Sequence, residues 1–484
     1  MREESHHPML DASREDIVSG SLSRVLVVLA APLVVQNFAL VAQEVVDLFW
    51  VGRLGGTAVA AVGLAAVFVG LLLVPFMMLF TGTQVITSQR VGAGDEAAAR
   101  RVPFTGAALA MPLAAVVGVA VLVGAEPIVD RFTDEAQIAT YAVAYLTAYI
   151  PALFTTSLSD TLEAGFTGWG QTRIALYVNA VAILVNVVVD PLLILGYGPF
   201  PRLEVFGAAL ATGIGYGVGA LVAIAVVLRG REGFRLTADA VRPRLATARE
   251  VVTVGAPVAG QNLGRQLARL VVIAVVSVAG GAAGLAAYHL GSRVATVVFV
   301  PAQGLAQAAT SVVGQNLGAA HFERARRTTW IAVAIAAVGL GVLGVVQWLF
   351  PEFIAHVFVP GMAGPDLTYT VAYLQILAYG YWALGAIYTV EAGFNGAGET
   401  QVSMVSTLAQ YWAVRVPVAI VGVYVLTFDV TAVFWAITLS NVAAATWLLA
   451  YFAYTSRRGL FESAVEAEES GTESKGSAEG AAAG

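Results

Sequence analysis

Between Leu22 and Tyr454 the chain returns repeatedly to long apolar runs almost free of charge. A helix needs about 20 such residues to cross ~30 Å of hydrocarbon, whereas a membrane barrel strand reads as a short alternating segment. The runs here are long and unbroken, so they are helices, and the solvent for most of the chain is lipid. They fall at 22–50, 57–88, 103–125, 137–164, 173–196, 205–228, 249–279, 284–314, 328–350, 367–394, 401–427 and 431–454, which makes twelve spans. Several are longer than a crossing requires, which implies tilt or extension beyond the bilayer. Charged residues are only 12% of the chain, about half of what a water-soluble surface carries. A soluble enzyme, a nucleic-acid binder and a secreted scaffold are excluded together, and no nucleic-acid partner is expected.

The chemistry narrows further. The chain has no Cys, which removes disulfides, thiolate zinc sites and iron–sulfur clusters. Of the five His, four (His6, His7, His321 and His356) lie outside the apolar spans or at their edges. A histidine-built metal site is therefore not expected. The chain reads as needing no cofactor and catalysing no reaction.

Arginine sets the orientation, because Lys and Arg stay on the cytoplasmic side. With the amino terminus inside, the inner connections hold fifteen Arg and the outer ones three (Arg53, Arg131 and Arg202). Both termini are then cytoplasmic in a multi-pass protein of the cell membrane. The expected organisation is a cytoplasmic segment 1–21, an N-lobe 22–228, a cytoplasmic linker 229–248, a C-lobe 249–455 and an acidic tail 456–484. From Glu462 onward that tail has no apolar periodicity and reads as disordered.

The two halves repeat each other. EAGFTGWGQT at 163–172 returns as EAGFNGAGET at 391–400, with seven of ten residues identical and a shift of 228. QRVGAGDEAAARR at 89–101 returns as QNLGAAHFERARR at 315–327, with six of thirteen identical and a shift of 226. Ala-Pro-x-x-x-Gln-Asn occurs at 31–37 and again at 256–262, a shift of 225. Each half has six spans, so both enter the membrane in the same sense. The fold class is all-α and integral to the membrane, with twelve helices in two pseudo-symmetric six-helix lobes. Many secondary transporters are built this way, with the working cavity between lobes that rock.

At these motifs the chain resembles the multidrug and toxic compound extrusion (MATE) family of antiporters. The residues that carry the resemblance are the Pro32 region leading to Asp47-Leu-Phe-Trp-Val-Gly52, Gln89-x-x-Gly92 with its following Arg pair, and the Gly-rich ends of spans four and ten. Asn186-x-x-x-Asp190-Pro191 completes the set. The likeness extends over the twelve spans and stops short of the termini. It implies a monomeric antiporter that exports small amphipathic compounds across the lipid bilayer in exchange for H⁺ or Na⁺.

An ionisable group in hydrocarbon is expensive, so each needs a partner, a wet cavity or a role. In the first half these groups are Glu44, Asp47, Asp160, Glu163 and Asp190. Asn186 and Asp190 are four apart and share a helix face. By residue counting Asp47, Tyr145, Asn186 and Asp190 fall at comparable depth and can converge. Two carboxylates held close at low dielectric cannot both stay ionised cheaply, so the pair takes up a proton or a sodium ion. The resemblance points to the same four residues as the first-lobe ion site, and to Pro32 as the helix-bending residue of span one. Where the family would place a polar residue two turns before the span-one acid, this chain has Leu40; Gln36 and Gln43 are the nearest substitutes. Plainer roles stay open. Asp47 could pair with Arg53, Asp190 could serve locally near a helix end, and Tyr145 could simply pack. Asp160, Glu163 and Glu391 read as capping or loop-bracing acids near the inner surface.

The second half has the opposite sign. Arg265 and Arg269 are four apart on span seven, Arg293 lies in span eight and Arg415 in span eleven, while Glu391 is the acid well inside a span. In another branch of the family a Glu on span seven and an Asp on span ten form a second ion site; here span seven offers arginines instead. These arginines, with Gln36, Asn37, Gln261 and Asn262, are the candidate substrate-cavity residues, and the arginines would favour anionic cargo. The alternative is that they bond helix-end carbonyls and Glu391. A flippase of lipid-linked saccharides from the same superfamily remains the rival function. Gly92-Ala-Gly-Asp95 matches the short signature of intramembrane aspartyl proteases, but it lies in a connection beside Glu96, Arg100 and Arg101, and its counterpart reads Gly-Ala-Ala-His.

Overall fold

The computed structural model describes residues 13–230 and 240–462. The expectations for the first twelve residues, the middle of the linker and the acidic tail beyond Glu462 lie outside the described residues. Within them every regular element is helical: α1 (Arg14–Ser19), α2 (Leu22–Gly52), α3 (Gly56–Leu72), α4 (Val74–Gly92), α5 (Glu96–Val129), α6 (Ala136–Ala148), α7 (Ile150–Trp169), α8 (Thr172–Leu195) and α9 (Glu204–Arg229). There follow α10 (Leu245–Gly318), α11 (Phe322–Leu349), α12 (Pro351–Phe358), α13 (Gly364–Ala378), α14 (Tyr381–Gly396), α15 (Thr400–Leu408), α16 (Val416–Ile420) and α17 (Thr431–Thr455).

Eight helices are long and apolar enough to cross a membrane, and three bent pairs raise the number to eleven among the described residues. The 74-residue α10 contains Gly281 at φ 54°, ψ −145°, outside helical geometry. At ~1.5 Å per residue an unbroken α10 would run roughly 110 Å, more than three hydrocarbon thicknesses. The left-handed Gly281, a conformation open to a residue without Cβ, therefore separates two spans and gives twelve. The chain is a multi-pass, all-helical membrane protein.

Three spans expected as single helices are broken instead. The pairs α3–α4, α6–α7 and α13–α14 bend by 46°, 43° and 50°. Pro75 and Pro151 occupy the first turns of α4 and α7, where the missing N–H and the ring clash stop the preceding helix from continuing. The third bend falls at Gly380, which weakens a helix by its backbone freedom. Span eleven is uneven as well. After α15 it passes through π-helical turns at Ala409–Arg415 and Val421–Val425, with α16 between them.

The chain divides into two compact units. Among the described residues the first holds 31–91, 95–230 and 240–259, and the second 13–30, 92–94 and 260–462. The dividing points in α2 and α10, Ala30–Ala31 and Ala259–Gly260, fall in and beside the duplicated Ala-Pro-x-x-x-Gln-Asn motif. In the first unit the opening turns of α10 pack backbone-to-backbone on α4. A Cβ on Gly255 would lie 1.9 Å from the Met78 carbonyl oxygen, and one on Gly82 would lie 2.1 Å from that of Val251. Glycine is required at both, as is usual where membrane helices approach closely. The second unit is built around an aromatic and aliphatic core that includes Tyr373, Tyr381 and Phe434.

Candidate ion site and substrate cavity

α2 and α8 supply the acids of the first unit. Asn186 and Asp190, one helical turn apart on α8, are both fully buried. The carboxyl of Asp47, from α2, is in hydrogen-bond contact with that of Asp190. Two carboxylates are both acceptors, so this contact becomes a bond only when a proton or cation lies between them. Asp190 Oδ2 is buried and has no hydrogen-bond partner among the described residues.

Amides complete the cluster. Gln43 Nε2 donates to Asn186 Oδ1 at 2.8 Å, and Asn186 Nδ2 donates to Asp190 Oδ1 at 3.5 Å. Turning the Asn186 amide over places its nitrogen 3.0 Å from Asp47 Oδ1 and lets its oxygen accept the Thr212 backbone N–H at 3.2 Å. In that orientation the Gln43 amide must turn as well, to present its oxygen. Asn186 can thus serve either carboxyl. Tyr145 stacks on Tyr149, with ring centroids 6.2 Å apart. It is near enough to interact electrostatically with both acids and hydrogen-bonds to neither. Arg53 does not pair with Asp47: its guanidinium lies over the rings of Phe49 and Trp50, at 4.8 and 5.8 Å. α2 runs without interruption through Pro32.

Gln36 belongs to a different cluster. Its Nε2 donates to Glu163 Oε2 at 3.2 Å, Ser159 Oγ donates to Glu163 Oε1 at 3.2 Å, and Asn179 Nδ2 also donates to Glu163. The second unit repeats the arrangement. Gln261 Nε2 donates to Glu391 Oε2 at 3.1 Å and to Thr407 Oγ1 at 2.8 Å, while Thr407 donates to Glu391 Oε1 at 3.1 Å. Both glutamates are buried at a helix crossing. Asn37 is partly buried, and its Nδ2 has no partner among the described residues.

The arginines gather around a cavity of about 280 Å³ inside the second unit. Arg265, Arg269 and Arg415 line it, together with Tyr288, Tyr388 and Phe299. Gln261, Asn262 and Arg293 are not among its lining residues; Arg293 is exposed beside His289. The π turn of span eleven places Arg415 with its guanidinium 3.9 Å from the Tyr411 ring centroid. Its Nε donates to Ser440 Oγ at 2.9 Å and its Nη2 to Asn441 Oδ1 at 2.6 Å. Arg265 Nε is buried without a hydrogen-bond partner, and its charge interacts with Glu391.

A family model, MatE, matches residues 32–192 and 257–421. The chain belongs to the MatE family. The two matched segments start at Pro32 and Pro257, so the family pattern is itself duplicated along the repeat. Among MatE relatives, the multidrug resistance protein NorM of Burkholderia vietnamiensis is 29% identical over 397 residues, which covers 80% of this chain and 84% of that one. An FAD transporter of Shewanella oneidensis is 25% identical over 417 residues, covering 85% and 90%. The fold matches that of a MOP superfamily transporter from Pyrococcus furiosus, whose binding pocket is described as of reverse polarity, suggesting a different function. The TM-score is 0.87 at 22% identity, over 93% of this chain and 99% of that one.

Residue counting does not reach several of these groups. Asn179, Ser159 and Thr407, the donors on the buried glutamates, and Ser440 and Asn441, the anchors of Arg415, are common polar residues in apolar helices. Only the i, i+16 spacing from each glutamate, 163 to 179 and 391 to 407, could have marked Asn179 and Thr407 as a duplicated pair.

Proposed function

We propose that this MatE protein is a secondary antiporter of the cell membrane that exports amphipathic organic compounds in exchange for H⁺ or Na⁺, working as a monomer with both termini in the cytoplasm. The observation that carries the reading is the contact of Asp47 with the fully buried Asp190, which carries an unpartnered oxygen. A carboxyl pair of this kind can share one small cation, and Gln43 and Asn186 supply amide oxygens or N–H groups to whichever acid is charged. Tyr145 lies within electrostatic range of both acids. Uptake of the cation changes the charge and hydrogen bonding between α2 and α8, and α2 then bends at Pro32, next to the point where it passes from one unit to the other. Ion and cargo are coupled because each binds a different conformer of that helix more tightly.

The cargo reading draws on the relatives. One is a multidrug resistance protein. Another is an FAD transporter, and FAD is a flat, phosphate-bearing anion. A second reading, a flippase of lipid-linked saccharides, is favoured by one observation, the arginine-lined cavity, since a pyrophosphate needs cationic partners. Proteoliposomes with pH and sodium gradients imposed separately test the proposal. Dye or flavin efflux driven by one of the two gradients is the expected result. Transport indifferent to both gradients would overturn it.

A further inference from the structure

We infer that the cavity of the second unit is an anion site, and that it takes aromatic organic anions carrying a carboxylate, sulfonate or phosphate. This deepens the export reading by naming the class of cargo, and it rests on that reading only for the direction of transport, not for binding.

Three guanidinium groups, Arg265, Arg269 and Arg415, line one cavity of about 280 Å³, and no carboxylate is among its lining residues. Glu391, braced by Gln261 and Thr407, interacts with Arg265 from behind the wall. One negative charge against three cations leaves the cavity positive. None of the three forms a salt bridge with another described residue. Unpaired charge inside apolar spans is expensive and marks a path for a ligand of the opposite sign.

The three arginines are not equivalent. Arg415 is fixed by Ser440, Asn441 and the face of Tyr411, so it offers a pre-set charge. Arg265 presents a buried Nε with no partner. Arg269 lies one turn further along α10, is exposed to the cavity, and makes no hydrogen bond among the described residues. Two guanidinium forks with open donors, one turn apart, match the paired oxygens of a carboxylate, sulfonate or phosphate. The remaining wall is aromatic: Tyr288, Tyr388 and Phe299, with Phe299 in ring contact with Tyr388 at 6.4 Å between centroids. Such a wall accepts a flat ring system, and the volume lies just below the usual range of about 300–1,000 Å³ for organic-ligand pockets.

The test is equilibrium binding to the full-length protein in detergent, with no ion gradient, using two dyes of one ring skeleton and opposite charge: fluorescein as the anion and rhodamine 6G as the cation. Fluorescence polarisation should show fluorescein bound more tightly by about tenfold or more, the worth of one charge-assisted hydrogen bond. Arg269→Gln and Arg265→Gln should each weaken fluorescein by about tenfold while leaving rhodamine 6G unchanged or tighter. Size-exclusion profiles report whether the variants fold; if Arg265→Gln does not, the exposed Arg269→Gln decides. Farnesyl pyrophosphate serves as a non-aromatic competitor. Weak competition supports the aromatic requirement, and displacement of fluorescein at lower concentration than an aromatic carboxylate overturns it in favour of a lipid pyrophosphate. Rhodamine 6G bound as tightly as fluorescein, or fluorescein binding unaffected by Arg269→Gln, overturns the anion site. Gradient coupling plays no part in this readout, so failure of the antiport reading is seen separately.

Discussion

Gln36 donates its side-chain amide to Glu163 at 3.2 Å, and 225 residues later Gln261 donates to Glu391 at 3.1 Å. The duplicated Ala-Pro-x-x-x-Gln-Asn and Glu-Ala-Gly-Phe motifs are therefore two ends of one contact, made once in each unit. Each contact satisfies a carboxyl buried between helices that would otherwise have no water to solvate it.

Removing the amide should destabilise each unit. Gln36→Leu removes one of three donors to the buried Glu163, and Gln261→Leu takes the donor from Glu391 Oε2, each at a cost of about 1–3 kcal/mol. The expected outcome is a lower thermal midpoint in detergent for either single variant, and near-additive losses in the double variant because the sites belong to different units. Midpoints equal to wild type would show that the contact contributes nothing.

Gly255→Leu should fail to assemble, because its Cβ would begin 1.9 Å from the Met78 carbonyl oxygen, a backbone atom that cannot rotate away. Leu at Gly63, where a Cβ meets nothing within 4 Å, is the matched control and should express normally. Comparable membrane yields of the two would contradict the close packing of α4 on α10.

Asp95 is an N-cap. Its side chain accepts the Ala98 backbone N–H at 2.9 Å at the start of α5, and the residue is exposed. Asp95→Ala should cost about 1 kcal/mol of stability and leave transport close to wild type. Loss of transport in a folded Asp95→Ala protein would give the Gly-Ala-Gly-Asp motif a role that its position does not explain.

Gln43→Leu should weaken the ion site without emptying the substrate cavity. The substitution removes the 2.8 Å bond that orients Asn186. The concentration of H⁺ or Na⁺ giving half-maximal transport should rise by about tenfold, while fluorescein or flavin binding stays at the wild-type level. An unchanged ion dependence would remove Gln43 from the site.

The span count and the duplication are legible in the sequence, because apolar length is set directly by the bilayer and the repeated motifs recur at nearly one offset. The meeting of Asn186 with Asp190 is legible too, from a spacing of four on one helix. Other features are not. Spans two, four and ten read as uniform apolar runs, so only Pro75, Pro151 and Gly380 hint at where they bend. The roles of Gln36 and Gln43, seven residues apart on α2 and both buried, separate only when the helix meets its neighbours: one reaches Glu163, the other Asn186. A span apolar on all sides carries no signal of which face turns inward. For the same reason the tyrosines around Arg265 and Arg269, and the Ser440–Asn441 anchor of Arg415, emerge from packing alone.

The ion site is the central claim, and Asp47→Asn and Asp190→Asn in proteoliposomes test it most directly. Each protein is loaded with dye or flavin and measured twice, under an imposed ion gradient and in its absence. Either substitution should abolish gradient-driven efflux while the protein remains inserted, monodisperse and able to bind cargo. Full gradient-driven efflux in both single variants would contradict the account.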